Sequence, residues 1–524
     1  MGQPSLLDCF YTQNYLISTH DDAVILRDAE RIFKANPWIE AQITEDLDRA
    51  AIATRRKNRQ LEREKEALAM GAPLIEIKAV APVRERPLGK GRERTPSLVV
   101  FLACILGCSK GSFVFKDFES NIFLQGFLAG HGMSMPERTV LLRLVAKLDE
   151  STIASLLQTV VEDCARRCRE AGIPEEVADV FIDSTATASA SAPLCDETTL
   201  AGFVAQADRE AAKLAALLGL PYKPLEPALL RQAAAAVLDA GRKASRPVKD
   251  AVKTKEKNKL RKEAQKRLIK LADASLAHVD LLADAAQDWL GKNPALSTTH
   301  QLHAELVGGL IDAQQIIEVL IDVYKFGPLA AKGEERPLSL SDADASPILK
   351  GQRQMVFGYK PQLACSAHGL ILGLTLPWGN EADAEAFPTI LRQTLKHLGS
   401  IDQLSVDDGY SSAANRQLAF DLGIRVVSFK GAKGKKITPA AEYDSEANRE
   451  LRRRRSCVEG AISSAKRVEG IGQLRTFSRT AAYRELVFKA IAHNLRRTPA
   501  IIAAAKLKAH KAFLASCASA GTHA

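Results

Sequence analysis

The chain has 524 residues, 46% hydrophobic and 26% charged, with 72 Lys+Arg against 62 Asp+Glu and a net charge of +10. That length predicts two to four domains, and the ordinary globular composition excludes wholesale disorder. The longest apolar run, residues 98–108, is too short to cross a bilayer, and the opening MGQPSLLDCFYTQ has no basic start or apolar signal core, so a cytoplasmic protein without a membrane role is expected.

Taken in chain order, residues 20–70 predict helix, ending in the charged RRKNRQLEREKEA. A Pro, Gly and Arg-rich stretch (81–96) follows and reads as a linker, or as an arm along a phosphate backbone. Residues 97–172 predict several helices. Within them, LAGHGMSMPERTVLLRLVAKLDE (128–150) turns at Gly132 and starts a helix at Pro136 that carries Arg138, Arg143 and Lys147. This fits the end of a helix-turn-helix reading DNA through Arg138 and Arg143, and fits a plain helical hairpin as well. Cys104 and Cys108, like Cys164 and Cys168, are four apart and read as small buried hydrophobes. The nine cysteines include no C-x-x-C pair to suggest zinc.

VADVFIDST (177–185) predicts a strand ending in Asp183, and residues 200–325 an α-helical insertion. RQMVFGYKPQLAC (353–365) and LILGLTLP (370–377) predict a β-hairpin about the turn 366–369. Next come a helix (381–397), the strand QLSVDD (403–408) and a Ser-capped helix (411–422) stopped by Gly423. The strand IRVVSFK (424–430) and a long helix (445–468) complete the pattern. Strands interleaved with helices imply a mixed α/β layer.

The positive charge is concentrated. Residues 242–270 hold 13 basic and 3 acidic side chains, and residues 425–467 hold 12 basic and 5 acidic ones, which leaves the remainder of the chain acidic. Two basic strips on an acidic body suit a protein that grips a polyanion, although such a run alone is equally a solvated helix face. Neither strip alternates with Trp, Phe or Leu as a membrane-surface helix would.

No phosphate-binding loop, nucleophile elbow or H-E-x-x-H is present. Carboxylates instead close strands: Asp183 in the first, Asp407 and Asp408 in the next. A third, Glu459, shares a helix face with Arg455 and Lys466, at spacings of 4 and 7. Oxygen donors beside cations suit Mg²⁺ or Mn²⁺ next to a phosphate backbone. Taken singly, each residue has a plainer reading: strand-end Asp is a common turn former, and Glu459 can simply pair with Arg455 one turn away.

The phrases FGYKPQLACSAHGLILG, GNEAD, VDDGYSSAANRQLAFDLGI and HNLRR, in this order, resemble bacterial insertion-sequence transposases of the DDE class. The resemblance picks Asp407, which precedes x-Gly-Tyr, over Asp408. It matches Phe181-Ile182-Asp183-Ser184-Thr185 to the first catalytic carboxylate, and Arg455-x3-Glu459-x6-Lys466 to the third, with Arg452 where that family has Tyr. It implies an RNase H-like mixed five-stranded sheet with flanking helices, joined to an all-α N-terminal domain and the helical insertion. It also implies a transposase in which Asp183, Asp407 and Glu459 bind two Mg²⁺ (or Mn²⁺) ions. Such an enzyme cuts transposon ends at their terminal inverted repeats and joins the 3′-hydroxyls to target DNA, as a homodimer or larger assembly, in a bacterial cytoplasm on the nucleoid. Arg455, Lys466, Arg452, Lys433, Lys435, Lys436 and Tyr410 are the expected DNA contacts around the site.

The expected organisation is a helical N-terminal region with its linker (1–96), a helical DNA-binding segment (97–172), a catalytic domain (173–199 and 335–500), an insertion (200–334) and a C-terminal tail (501–524). The N-terminal region is expected to recognise ends, and the insertion's strip to contact backbone less specifically. The gap between Asp183 and Asp407 is 224 residues and that between Asp407 and Glu459 only 52, whereas many relatives carry their insertion in the second gap. Asp342 and Asp344 are the next candidates for the first carboxylate. An RNase H-like nuclease or resolvase that does not join ends, and an inactive DNA-binding relative, stay open as alternatives.

Overall fold

The computed structural model describes residues 21–69, 95–109, 122–134, 136–173, 178–191, 196–245, 251–293, 296–326, 338–350 and 354–520. Most of the basic 81–96 stretch, and residues 246–250 of the first basic strip, lie outside them. The chain divides into two units, one formed by residues 1–49, 90–191 and 344–524, the other by 50–89 and 192–343.

At the centre of the first unit is β1 (Asp179–Ser184), whose Val180, Phe181 and Ile182 are fully buried. A strand covered on both faces needs such a continuous apolar run. It pairs antiparallel with β5 (Gln362–Cys365) and parallel with β7 (Gln403–Val406). β6 (Ile371–Thr375) adds antiparallel to β5 and β8 (Val426–Phe429) parallel to β7, giving the order β6-β5-β1-β7-β8. This mixed five-stranded sheet with helices packed on it is RNase H-like.

A second, three-stranded sheet has the order β2-β4-β3, with β2 at Thr187–Ala188, β3 at Ser346–Lys350 and β4 at Gln354–Tyr359. The stretch 353–365, expected as one strand, is therefore two strands in different sheets. Pro361 has no N–H for a ladder, and the chain switches sheets at Lys360-Pro361. Gly358 makes the β2–β4 approach possible, because a Cβ there would stand 2.0 Å from the Thr187 carbonyl oxygen.

The helix Asp383–Leu398 packs on β5 and β6, and buried His397 donates from Nδ1 to the Leu372 carbonyl at 2.8 Å. Ser412 caps the helix Ala413–Asp421 by accepting from the Asn415 N–H, and Gly423 takes the left-handed conformation beyond its end. The helix expected over 445–468 is interrupted at Arg455, which ends Glu446–Arg454 and begins Ser456–Val468.

The long helix Arg479–Ala520 buries Leu486, Val487, Phe488, Ile491 and Leu495 completely. Each such side chain contributes about 1.5–3 kcal/mol on burial. Its HNLRR segment is a clamp. Asn494 both accepts from the Ile371 N–H and donates to the Ile371 carbonyl, fixing β6. His493 sits between Glu469 and the Gly369 carbonyl, and Arg496 adds a second hold on Glu469. Helices Asp21–Ala35, Ser97–Ser109 and Glu150–Glu170 supply side chains to the same core as the sheet. Cys104, Cys164 and Cys168 are buried there as thiols.

The second unit is helical, with helices Asp196–Leu218, Pro227–Ser245, Ala251–Gly291 and Ser297–Phe326 around their own apolar cluster. Buried Glu64 accepts from the Thr298 and Thr299 N–H groups, satisfying the orphan donors at the start of the last of these helices. Among the described residues no helix is long and apolar enough to cross a membrane.

Candidate active site

The sheet register decides which carboxylates meet. Ile182 pairs with Val406 across parallel β1 and β7, so Asp183 and Asp407 each stand one residue beyond, side by side at the carboxyl edge. Neighbouring strands lie about 4.8 Å apart, and residues in register point to the same face. The helix Ser456–Val468 packs on β1 and β5 and brings Glu459 to the same place.

Arg455 ties the three together. Its Nη1 donates to Asp183 Oδ2 at 3.1 Å, its Nη2 donates to Glu459 Oε1 at 2.9 Å, and Nη2 lies 3.5 Å from Asp407 Oδ1. The guanidinium is buried, its side chain 5% exposed, whereas exposure rises from 20% at Asp183 to 47% at Asp407 and 59% at Glu459. The cluster is thus closed on the Arg455 side and open to a substrate on the other. Burial pushes the Asp183 carboxyl above the ordinary Asp value, while Arg455 and the Ser184 N–H pull it back down.

Asp408 has different work. Its Oδ1 accepts from the Lys433 and Gly434 N–H groups at 2.9 and 3.0 Å, capping the short helix Ala432–Ile437. Asp344 likewise accepts from the Arg479 N–H at the start of the last helix. Asp342 is buried in the other unit. Of the candidates for first carboxylate, Asp183 is the one that joins Asp407 and Glu459.

Residues 331–495 match the family model described as Transposase DDE domain. The chain carries a transposase DDE domain. No curated protein and no solved structure matches the chain. The matched part of this DDE domain contains Asp407 and Glu459 but not Asp183, which the β1–β7 pairing adds.

The remaining expected DNA contacts fall in several places. Lys433, Lys435 and Lys436 are exposed on the helix that follows β8, at the same sheet edge as Asp407. Lys466 is half-buried and reaches the Ala186 carbonyl at 3.3 Å, just past β1. Arg452 lies over the Tyr443 ring, 3.9 Å from its centroid, and donates to the Tyr443 carbonyl. Tyr410 is not at the surface: it is 1% exposed, and its hydroxyl donates to Gln362. Burial and the Asp383 and Asp183 carboxylates push its phenol well above the usual range. Arg138 and Arg143 lie on the two-turn helix Arg138–Val145, shorter than expected, with Lys147 beyond its end.

No cluster of three or more His, Cys, Asp or Glu side chains among the described residues is gathered so as to hold a metal ion. Asp183, Asp407 and Glu459 are gathered about a guanidinium instead. Their donor set, three carboxylates without His or Cys, fits a hard divalent cation, and the space they share already attracts positive charge. The pairing of Arg455 with Glu459 was read from their spacing; the burial of Arg455, its contacts with Asp183 and Asp407 and the capping by Asp408 were missed. The choice of Asp407 over Asp408 was visible beforehand, through the Gly-Tyr that follows.

Proposed function

We propose that this protein is the transposase of a bacterial insertion sequence: it binds the terminal inverted repeats, cleaves DNA strands and transfers the 3′-hydroxyl ends to target DNA. The observation that carries this reading is the meeting of Asp183, Asp407 and Glu459, from three distant chain segments, at one end of an RNase H-like sheet. Two bound Mg²⁺ or Mn²⁺ ions would activate the attacking water or 3′-hydroxyl and stabilise the leaving oxygen. Asp183, Asp407 and Glu459 supply the oxygens that hold them. Lys433, Lys435 and Lys436 offer the strand backbone exposed cations, and Lys466 and Arg455 fix the phosphate nearest the carboxylates. Tyr410, being buried, supports the strand end that presents Asp407 rather than touching DNA. Arg452, held by Tyr443, braces the helix that leads to Arg455. The N-terminal helices with Arg138 and Arg143 take end recognition, and assembly as a dimer on paired ends supplies both cuts.

The test uses the purified full chain, Mg²⁺ and duplexes of the inverted repeats flanking its gene. Cleaved and joined products are expected. Asp183→Ala, Asp407→Ala and Glu459→Ala should each lose cleavage by more than about a hundredfold while binding the ends, since even outer-shell partners of a metal site are worth about 10–100-fold. Cleavage without joined product identifies a nuclease, and cleavage retained in all three variants sinks the reading.

A further inference from the structure

Arg455 stands where its chemistry is most consequential for the three carboxylates. It is contacted by all of them, is buried, and belongs to neither flanking helix but to the junction between them. Its Nε is buried with no hydrogen-bond acceptor. The guanidinium therefore carries a strong but incomplete set of partners, because a fully satisfied arginine uses all five donors. Three carboxylates against one guanidinium leave a local excess of negative charge, so the cluster still attracts a cation. Asp183 Oδ2 and Glu459 Oε1, two of the oxygens the cluster has to offer a cation, are held by Arg455, and the other Asp183 oxygen accepts from the Ser184 N–H.

We infer that Arg455 is a competitor for the divalent cation: guanidinium and metal contend for the same carboxylate oxygens, and the metal gains them only as Arg455 gives them up. This rests on the three carboxylates being the metal ligands of the proposed transposase. A DNA phosphate is the partner that would draw the guanidinium away, since it accepts two parallel N–H bonds in the geometry arginine presents. Arg455 thereby links cation loading to the arrival of the strand, and without DNA the protein holds its metal weakly. Lys466, on the same helix, reaches the Ala186 carbonyl.

The experiment is Mn²⁺ binding to the full chain without DNA, followed by titration calorimetry at constant ionic strength. Arg455→Gln is expected to bind Mn²⁺ at least tenfold more tightly than the unaltered chain, and Arg455→Lys, which keeps the charge without the fork, to fall between them. Equal or weaker binding in a folded Arg455→Gln chain, or no binding in it at all, overturns the inference. Should removal of the arginine unfold the protein, the unaltered chain still decides the matter. Saturating Mn²⁺ should raise the rate of phenylglyoxal modification at Arg455, mapped by peptide mass, several-fold; an unchanged or lower rate overturns the inference. The outcomes also separate the two readings. Tightened Mn²⁺ binding without DNA cleavage defeats the transposase reading alone, and cleavage with unchanged Mn²⁺ affinity defeats this inference alone.

Discussion

Asp407 and Asp408 are neighbours of the same chemistry, and the fold gives them opposite tasks. β7 ends at Val406, so Asp407 continues its line toward Arg455 and Asp183. The 3-10 turn Asp408–Tyr410 then swings Asp408 to the N-terminus of Ala432–Ile437. Gly431, at φ +116°, makes room for it: a Cβ there would stand 2.4 Å from the Asp408 carboxyl carbon. Asp408→Ala should therefore cost about 1 kcal/mol of stability, the usual worth of an N-cap side chain, in a urea titration. It should leave DNA cleavage within a few-fold of the unaltered chain. Asp407→Ala should show the reverse, with cleavage lost and the urea midpoint nearly unmoved. If Asp408→Ala alone removed cleavage, the assignment of the two residues would have to be exchanged.

Among the elements, those with a strong local signal were legible and those decided by distant partners were not. β1, β7 and β8 are short apolar runs, and the helix Ala413–Asp421 has a Ser cap and a clear stop in Gly423, so sequence alone placed them within a few residues. β3 was missed because its pairing with β4 gives Leu349 and Met355 no core to face: both are exposed, and an apolar alternation is absent. The split between β4 and β5 depends on β2 reaching across from a segment 170 residues earlier, which no local pattern reports. The burial of Tyr410 depends likewise on Gln362, 48 residues away. Gly358 tests this non-local demand. Gly358→Ala drives a Cβ into the Thr187 carbonyl and should destabilise the unit that holds the two sheets by about 1–3 kcal/mol, as overpacking generally does. Gly308→Ala, in the helix Ser297–Phe326 with nothing within 4 Å of the new Cβ, should instead stabilise by up to about 1 kcal/mol. Thermal melts of the two variants should move in opposite directions; a harmless Gly358→Ala would mean that β2 and β4 do not approach as described.

For the whole molecule, the positive charge is concentrated rather than spread: residues 242–270 alone carry an excess equal to the net +10, and the excess of residues 425–467 is offset by the acidic remainder. Much of it lies on Ala251–Gly291, where Lys255, Lys259, Lys262, Lys266 and Lys270 are exposed at steps of 4, 3, 4 and 4, a single face of the helix. The opposite face buries Leu268, Ala272, Leu276 and Val279 against the unit's own core, so the helix cannot turn its lysines inward. At about 1.5 Å per residue the row is ~22 Å long, enough to follow several phosphates along a duplex. Contacts of this kind carry no sequence information, but each releases a counterion, and the dependence of log K on log salt steepens by about 0.9 per phosphate neutralised. Replacing the five lysines with Gln should therefore make that slope shallower by up to ~4.5 for both end-bearing and random duplexes. The ratio of the two affinities should stay unchanged. A shallower slope with a reduced ratio would place end recognition in the insertion rather than in the N-terminal helices. An unchanged slope would mean that the strip faces water and that the protein's grip on DNA comes from the cations around the carboxylate site.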